Sequence, residues 1–214
     1  MTTRSVLFAR LGLAVAAAMP LAGCISFGAK PPPSLLTLTP SAAIAVGQEQ
    51  SSAGGRSITV QVPAVPASIA SARVPVQATP TTIAYIKNAL WAEPPARLFA
   101  RLLSDTLTAR SGLVVLSGAQ SIGDPGALLG GELRQFGVDA VSQSAVVTFD
   151  ASLSRAGETT VEKRRFEARV PVAAIDAATV GSALNDAANQ VSLQVAEWAG
   201  GAVAAAPVQA TPHR

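Results

Sequence analysis

Ile58, Val60 and Val62 alternate with Ser57, Thr59 and Gln61, the period-two pattern of a half-buried strand. Successive strand side chains point to opposite faces, so the alternation implies one dry face and one wet one. Pro63 and Pro66 break the run, and extended segments follow near Ala72–Gln77 and Thr82–Lys87. Pro75 lies inside the first of these; it has no amide to donate, which predicts an edge or irregular strand there. A shorter strand, Leu35–Thr39, precedes them and stops at Pro40, and residues 41–56, rich in Ser, Gly, Gln and Ala, read as a loop.

At residue 94 the period changes. Over 94–110, Leu98, Phe99, Leu102, Leu103 and Leu107 fill one half of a helical wheel, while Arg97, Arg101, Ser104, Asp105 and Thr108 fill the opposite arc. Pro94 and Pro95 suit the first turn, where a missing amide donor costs nothing. Ser111-Gly112 closes this helix, Leu113–Leu116 reads as a short buried strand, and Gly123-Asp124-Pro125-Gly126 as a turn. Leu128–Val138 is a further strand with imperfect alternation. Val147, Phe149, Ala151 and Leu153 then share one face, and Arg155-Ala156-Gly157-Glu158 turns the chain back. The return strand, Thr160–Val170, puts Phe166, Ala168 and Val170 inward and Arg165, Glu167 and Arg169 outward, which predicts an antiparallel hairpin with one wet face. From Thr179 to Trp198, Val180, Leu184, Ala187, Val191, Val195 and Trp198 recur at steps of three and four and predict a second helix, ended by Gly200-Gly201. The expected fold class is α+β: a mainly antiparallel sheet packed with two amphipathic helices, one domain over residues 35–199, then a disordered tail over 200–214.

The first 23 residues follow a different logic. Arg4 and Arg10 precede a run of small apolar residues from Leu11 to Leu21, with no acidic residue before the cysteine. The run ends in Leu21-Ala22-Gly23-Cys24, which reads as a lipoprotein signal peptide (1–23) with its lipobox. Small residues give a signal peptidase access to the backbone before Cys24, whose thiol is the expected site of diacylglycerol attachment. Three acyl chains bury dozens of methylenes at roughly 0.8 kcal/mol each, so unaided release from a bilayer is negligible. Residue 25 is Ile and not the Asp that favours inner-membrane retention, so the expected location is the periplasmic face of the outer membrane. Residues 24–34, with Pro31-Pro32-Pro33, form the lipidated tether; extended at about 3.1 Å per residue they reach roughly 30 Å.

Charge alters the choice of partner. The whole chain has a net charge of +3, but removing residues 1–23 leaves 14 Lys/Arg against 13 Asp/Glu, a net of +1. No basic footprint for nucleic acid remains. With one cysteine no disulfide can form within the chain, so packing must supply the stability.

The chemistry of catalysis is absent from the pattern. The lone histidine, His213, is one residue from the C-terminus, which argues against Ser-His-Asp, Cys-His and His-based metal sites. Gly130-Gly131 lacks phosphate-loop spacing, and neither HExxH nor GxSxG occurs. The sequence therefore predicts no enzyme, no metal and no cofactor. Candidate partner-binding residues are Tyr85, Trp91, Glu93 and Arg97. Each has a structural alternative: core packing for Tyr85 and Trp91, a helix-start charge meeting the positive end of the dipole for Glu93, and a solvated face for Arg97.

Several segments, in order, carry a resemblance. These are the lipobox at Cys24, Leu36-Thr37-Leu38-Thr39-Pro40, the Val-Pro-rich Ile58–Pro66, and Ile83-Ala84-Tyr85 followed by Leu90-Trp91-Ala92-Glu93-Pro94-Pro95. Leu129-Gly130-Gly131-Glu132-Leu133-Arg134-Gln135-Phe136 and the helix containing Leu184-Asn185-Asp186-Ala187-Ala188 and ending in Trp198 complete the set. Together they resemble the auxiliary lipoproteins of ABC-type transport systems, the paraquat-inducible lipoprotein C-like family. Ser68-Ile69-Ala70-Ser71 departs from the family, which usually has an aromatic or Asp-Arg there. The resemblance implies a partner system: an inner-membrane ABC permease and ATPase with a periplasmic MCE-domain protein that moves lipid, docked by the lipoprotein at the outer membrane. Homo-oligomerisation is compatible with it. Competing readings are a scaffold lipoprotein for a secretin or outer-membrane barrel, and a soluble-lipid carrier with an internal pocket.

Overall fold

The computed structural model describes residues 34–52, 56–116, 118–122 and 126–205. The signal peptide, the lipobox, Cys24, most of the tether, part of the 123–126 turn and the tail beyond Ala205 lie outside the described residues. The strands are β1 (Ser57–Val60), β2 (Arg73–Thr79), β3 (Thr82–Leu90), β4 (Val114–Leu116), β5 (Ala127–Asp139), β6 (Ser144–Arg155) and β7 (Val161–Pro171). The helices are α1 (Pro95–Arg110) and α2 (Ala177–Ala205).

β5 is the spine of the sheet. One edge pairs antiparallel with β6 along nearly its whole length, and β6 pairs antiparallel with β7. The other edge takes two parallel partners in turn: β1 beside Ala127–Leu129 and β2 beside Val138–Asp139. Between them the chain stays against β5, with the Ala64 amide bonding the Gly131 carbonyl at 2.9 Å, before a 3-10 turn at Ala67–Ile69. β4 extends the sheet from β1 and β3 from β2. The sheet is thus mainly antiparallel, as expected, with short parallel pairings of β1 with β4 and β5 and of β2 with β5. Pro75 lies on an interior strand, and that strand is irregular beside it: the β2–β3 register shifts between Arg73 and Pro75.

α2 lies across β5, β6 and β7, and α1 packs beside it against β1 and β4. The intervening core is filled by aromatic pairs in edge-on or tilted contact: Phe99–Phe149 at 5.2 Å, Trp91–Phe136 at 5.3 Å and Phe166–Trp198 at 5.6 Å between centroids.

Two boundaries differ from expectation. Leu35–Thr39 makes a single bridge, Leu36 to Trp91, and not a strand. Gly200-Gly201 does not end α2, which continues to Ala205. A Cβ on Gly200 would lie 3.0 Å from that of Ser111, so this glycine admits the end of α1 and does not stop the helix.

Candidate functional site

The segment Leu36–Ser41 is strapped onto α2. Leu36 exchanges backbone bonds with the chain at Leu90 and Ala92, and its side chain sits where a Cβ on Gly181 would intrude at 2.6 Å. Asn185 Oδ1 accepts the Thr39 amide at 2.8 Å, and Asn189 Oδ1 accepts the Ser41 amide at 2.7 Å. Asn189 Nδ2 donates to the carbonyls of Thr39 and Asn185 at 3.0 and 2.9 Å. An amide side chain on successive turns can both accept from and donate to an extended backbone, which is how a helix without a sheet edge holds a strand-like segment. Leu36, Thr39 and Ser41 meet Gly181, Asn185 and Asn189 in that order, so Leu36 is the end of the strap nearest the start of α2.

The four candidate partner-binding residues fall into separate environments. Trp91 is 2% exposed and packs in the core against Phe136, so its indole presents no surface. Tyr85 is half-buried on β3, its hydroxyl donating to the Ser68 carbonyl at 3.3 Å, with the Arg73 guanidinium 3.8 Å over its ring. Glu93 takes the Arg101 guanidinium at 2.7 Å instead of capping α1 with its side chain. Arg97 is exposed on the same helix. Glu93 and Arg97 lie at the start of α1, while Trp91 is held in the core against Phe136 and bridges Leu36.

Across β5–β7 the face turned away from α2 carries a charged ladder that the outward positions Arg165, Glu167 and Arg169 foreshadow. Arg165 forms a bidentate pair with Asp150 at 2.6 and 2.7 Å, and Arg134 adds contacts to Glu132 at 3.2 Å and Asp150 at 3.7 Å. One row along, Glu167 accepts from Thr148 and Arg169, and Arg169 also lies 3.6 Å from Asp139. The Arg165 hydrogen bonds hold Asp150 below its ordinary carboxylate value, and the Ser142 amide does the same for Asp139. Burial raises Glu167, but the bonds from Thr148 and Arg169 outweigh it. An open groove of about 580 Å³ runs here, lined by Gly131, Glu132, Asp150, Ser152, Lys163 and Arg165. These residues are far apart in the sequence, and only the β5–β6–β7 register brings Glu132, Asp150 and Arg165 into one row.

Asp105, on α1, is pushed the other way: burial raises its carboxyl, with Arg101 offsetting part of the effect. Among the described residues no three potential metal-ligating side chains cluster, and no helix is long and apolar enough to cross a membrane.

The architecture has solved counterparts. The protein XCC0632 from Xanthomonas campestris superposes with a TM-score of 0.65 at 20% identity, covering 78% of this chain and 95% of that one. A second crystal structure, of an uncharacterized protein, gives 0.59 at 22% identity, covering 67% and 91% respectively. At these identities the likeness is one of fold. No curated protein matches the chain by sequence. A model of the ABC-type transport auxiliary lipoprotein component matches residues 36–196, from the strap at Leu36 through the first 20 of the 29 residues of α2. The chain belongs to the family of ABC-type transport auxiliary lipoproteins.

Proposed function

We propose that this protein is acylated at Cys24, through the lipobox Leu21-Ala22-Gly23, anchored at the periplasmic face of the outer membrane, and docks the MCE-domain component of an ABC-type lipid transport system. The observation that carries the reading is the family match over residues 36–196. The strap supports it: three side-chain amide bonds to Thr39 and Ser41 fix where a tether would join the domain, as a load-bearing anchor requires. The role is non-enzymatic, with the domain acting as a rigid adaptor. Arg97 on α1, Glu93 just before it, Tyr85 on β3 and the charged face of β5–β7 are the surfaces available to the partner, and Trp91 is a core residue.

Pulldown of the tagged, acylated protein from envelope membranes tests the reading. Recovery of an MCE-domain protein together with its permease is the expected result. Recovery of a secretin or a barrel assembly protein instead, with acylation of Cys24 intact, would overturn it in favour of a scaffold role.

A further inference from the structure

Among the described residues three strands have a single strand partner, β3, β4 and β7, and their free sides are guarded differently. β4 is three residues long, and so short an edge offers little to another strand. β7 carries Glu162, Lys163, Arg164, Arg165, Glu167 and Arg169 among its eleven residues, charges that oppose edge-to-edge pairing. β3 has neither protection. From Val74 through the β2–β3 turn to Ile86 the chain holds no charged residue. The first, Lys87, stands beside Asn88, whose φ of 59° marks the irregular end of the strand. Thr82, Ile83 and Ala84 are exposed, and Arg73 on the neighbouring strand is engaged over the Tyr85 ring.

The strap closes one end of this edge. Leu36 bonds at Leu90 and Ala92, and among the described residues no backbone group pairs with the outer side of Thr82–Ile86. Upstream of the strap, Pro31-Pro32-Pro33 have no amide hydrogens with which to continue that pairing. Threonine, isoleucine and tyrosine favour a pleated surface, so Thr82–Ile86 is an open pairing edge. We infer that it pairs with the same edge of a second copy, the two β3 strands running antiparallel about a two-fold axis at Ala84. Self-complementarity selects a second copy as the occupant. In this register Ile83 lies opposite the partner's Tyr85, a β-branched residue against an aromatic one, and Thr82 opposite the partner's Ile86. Each Lys87 falls beyond the paired stretch, so no like charges meet. The pairing depends neither on acylation of Cys24 nor on the transport partner.

The test uses the full chain in detergent, with micelles in excess, as an equal mixture of light-isotope and heavy-isotope protein. Photo-reactive benzoylphenylalanine replaces Ile83. Irradiation should join two tryptic peptides Val74–Lys87, one light and one heavy. Ala84→Lys sets two ammonium groups face to face; it should weaken association in sedimentation at least about tenfold, with circular dichroism unchanged. Thr82→Lys should act in the same direction and keeps the test decisive if Ala84→Lys alters the fold. Lys163→Glu, on β7, should leave the association as it is. A single-chain mass at every soluble concentration, without mixed-isotope adducts, would overturn the inference. So would adducts confined to residues 24–33 of the same chain, which would assign the edge to the tether. Mixed adducts that persist undiminished in both lysine variants would overturn it as well, assigning the contact to another face.

Discussion

Asn189 is 6% exposed and makes hydrogen bonds to Ser41, Thr39 and Asn185, so one side chain joins two parts of the chain about 150 positions apart. Asn189→Ala should cost about 2 kcal/mol, because the Ser41 amide and the Thr39 carbonyl lose their partner together. Urea unfolding measures that loss, and hydrogen exchange at the Ser41 amide shows whether it is local. Gly137 has a different constraint: a Cβ there would meet the Pro75 carbonyl oxygen at 2.4 Å. Gly137→Ala should therefore force β2 away from β5 and lower stability by about 2 kcal/mol. Asp105 predicts the opposite sign. Burial raises its pKa in the folded protein, so its ionised form costs stability at neutral pH, and that cost disappears as pH falls through the raised value. Asp105→Asn should raise the urea midpoint at pH 7 and leave it nearly unchanged at pH 3. The roles of Asn189 and Gly137 are not legible in the sequence, since each depends on a neighbour far along the chain, and that of Asp105 depends on its burial in the packed fold.

Elements were more legible than their partners. The β6–β7 hairpin reads cleanly because one of its faces is packed and the other wet, so alternation survives from Val147 to Ala168. β5 reads poorly for an identifiable reason. Its register shifts between Leu133 and Gln135, and the inward set changes from Leu129 and Leu133 to Phe136 and Val138. Parallel pairing of β1 and β2 with β5 leaves no local signal at all, as the paired residues, such as Ile58 with Ala127 and Val76 with Val138, lie far apart in the chain. The strap was read as a strand because its apolar alternation is strand-like, yet its main bonds are to helix side chains. Gly181→Val should separate strap from helix without touching the sheet, since its side chain would occupy the space of Leu36. Limited proteolysis should then cut within residues 36–41, where the native protein resists, while β-sheet circular dichroism is retained.

For the whole molecule, the charged ladder sets the response to acid. Asp139, Asp150 and Glu167 all sit below their ordinary values in the folded state, so each contributes stability above about pH 4 that is lost as pH falls through the lowered values. These groups are largely exposed, so the effect is modest and weakens with salt. Urea midpoints should fall between pH 4 and pH 2, and less steeply in Asp150→Asn. Fold class and family were the most legible part: the α+β reading matches the structure, and the family model spans residues 36–196. It remains to place the partner on this frame. Photo-crosslinking in intact cells from probes at Arg97, Thr160 and Lys163, with mass spectrometry of the adducts, tests this most directly. Adducts to an MCE-domain protein from at least one site are predicted. Adducts confined to a barrel or secretin, from acylated protein at the outer membrane, would contradict the account.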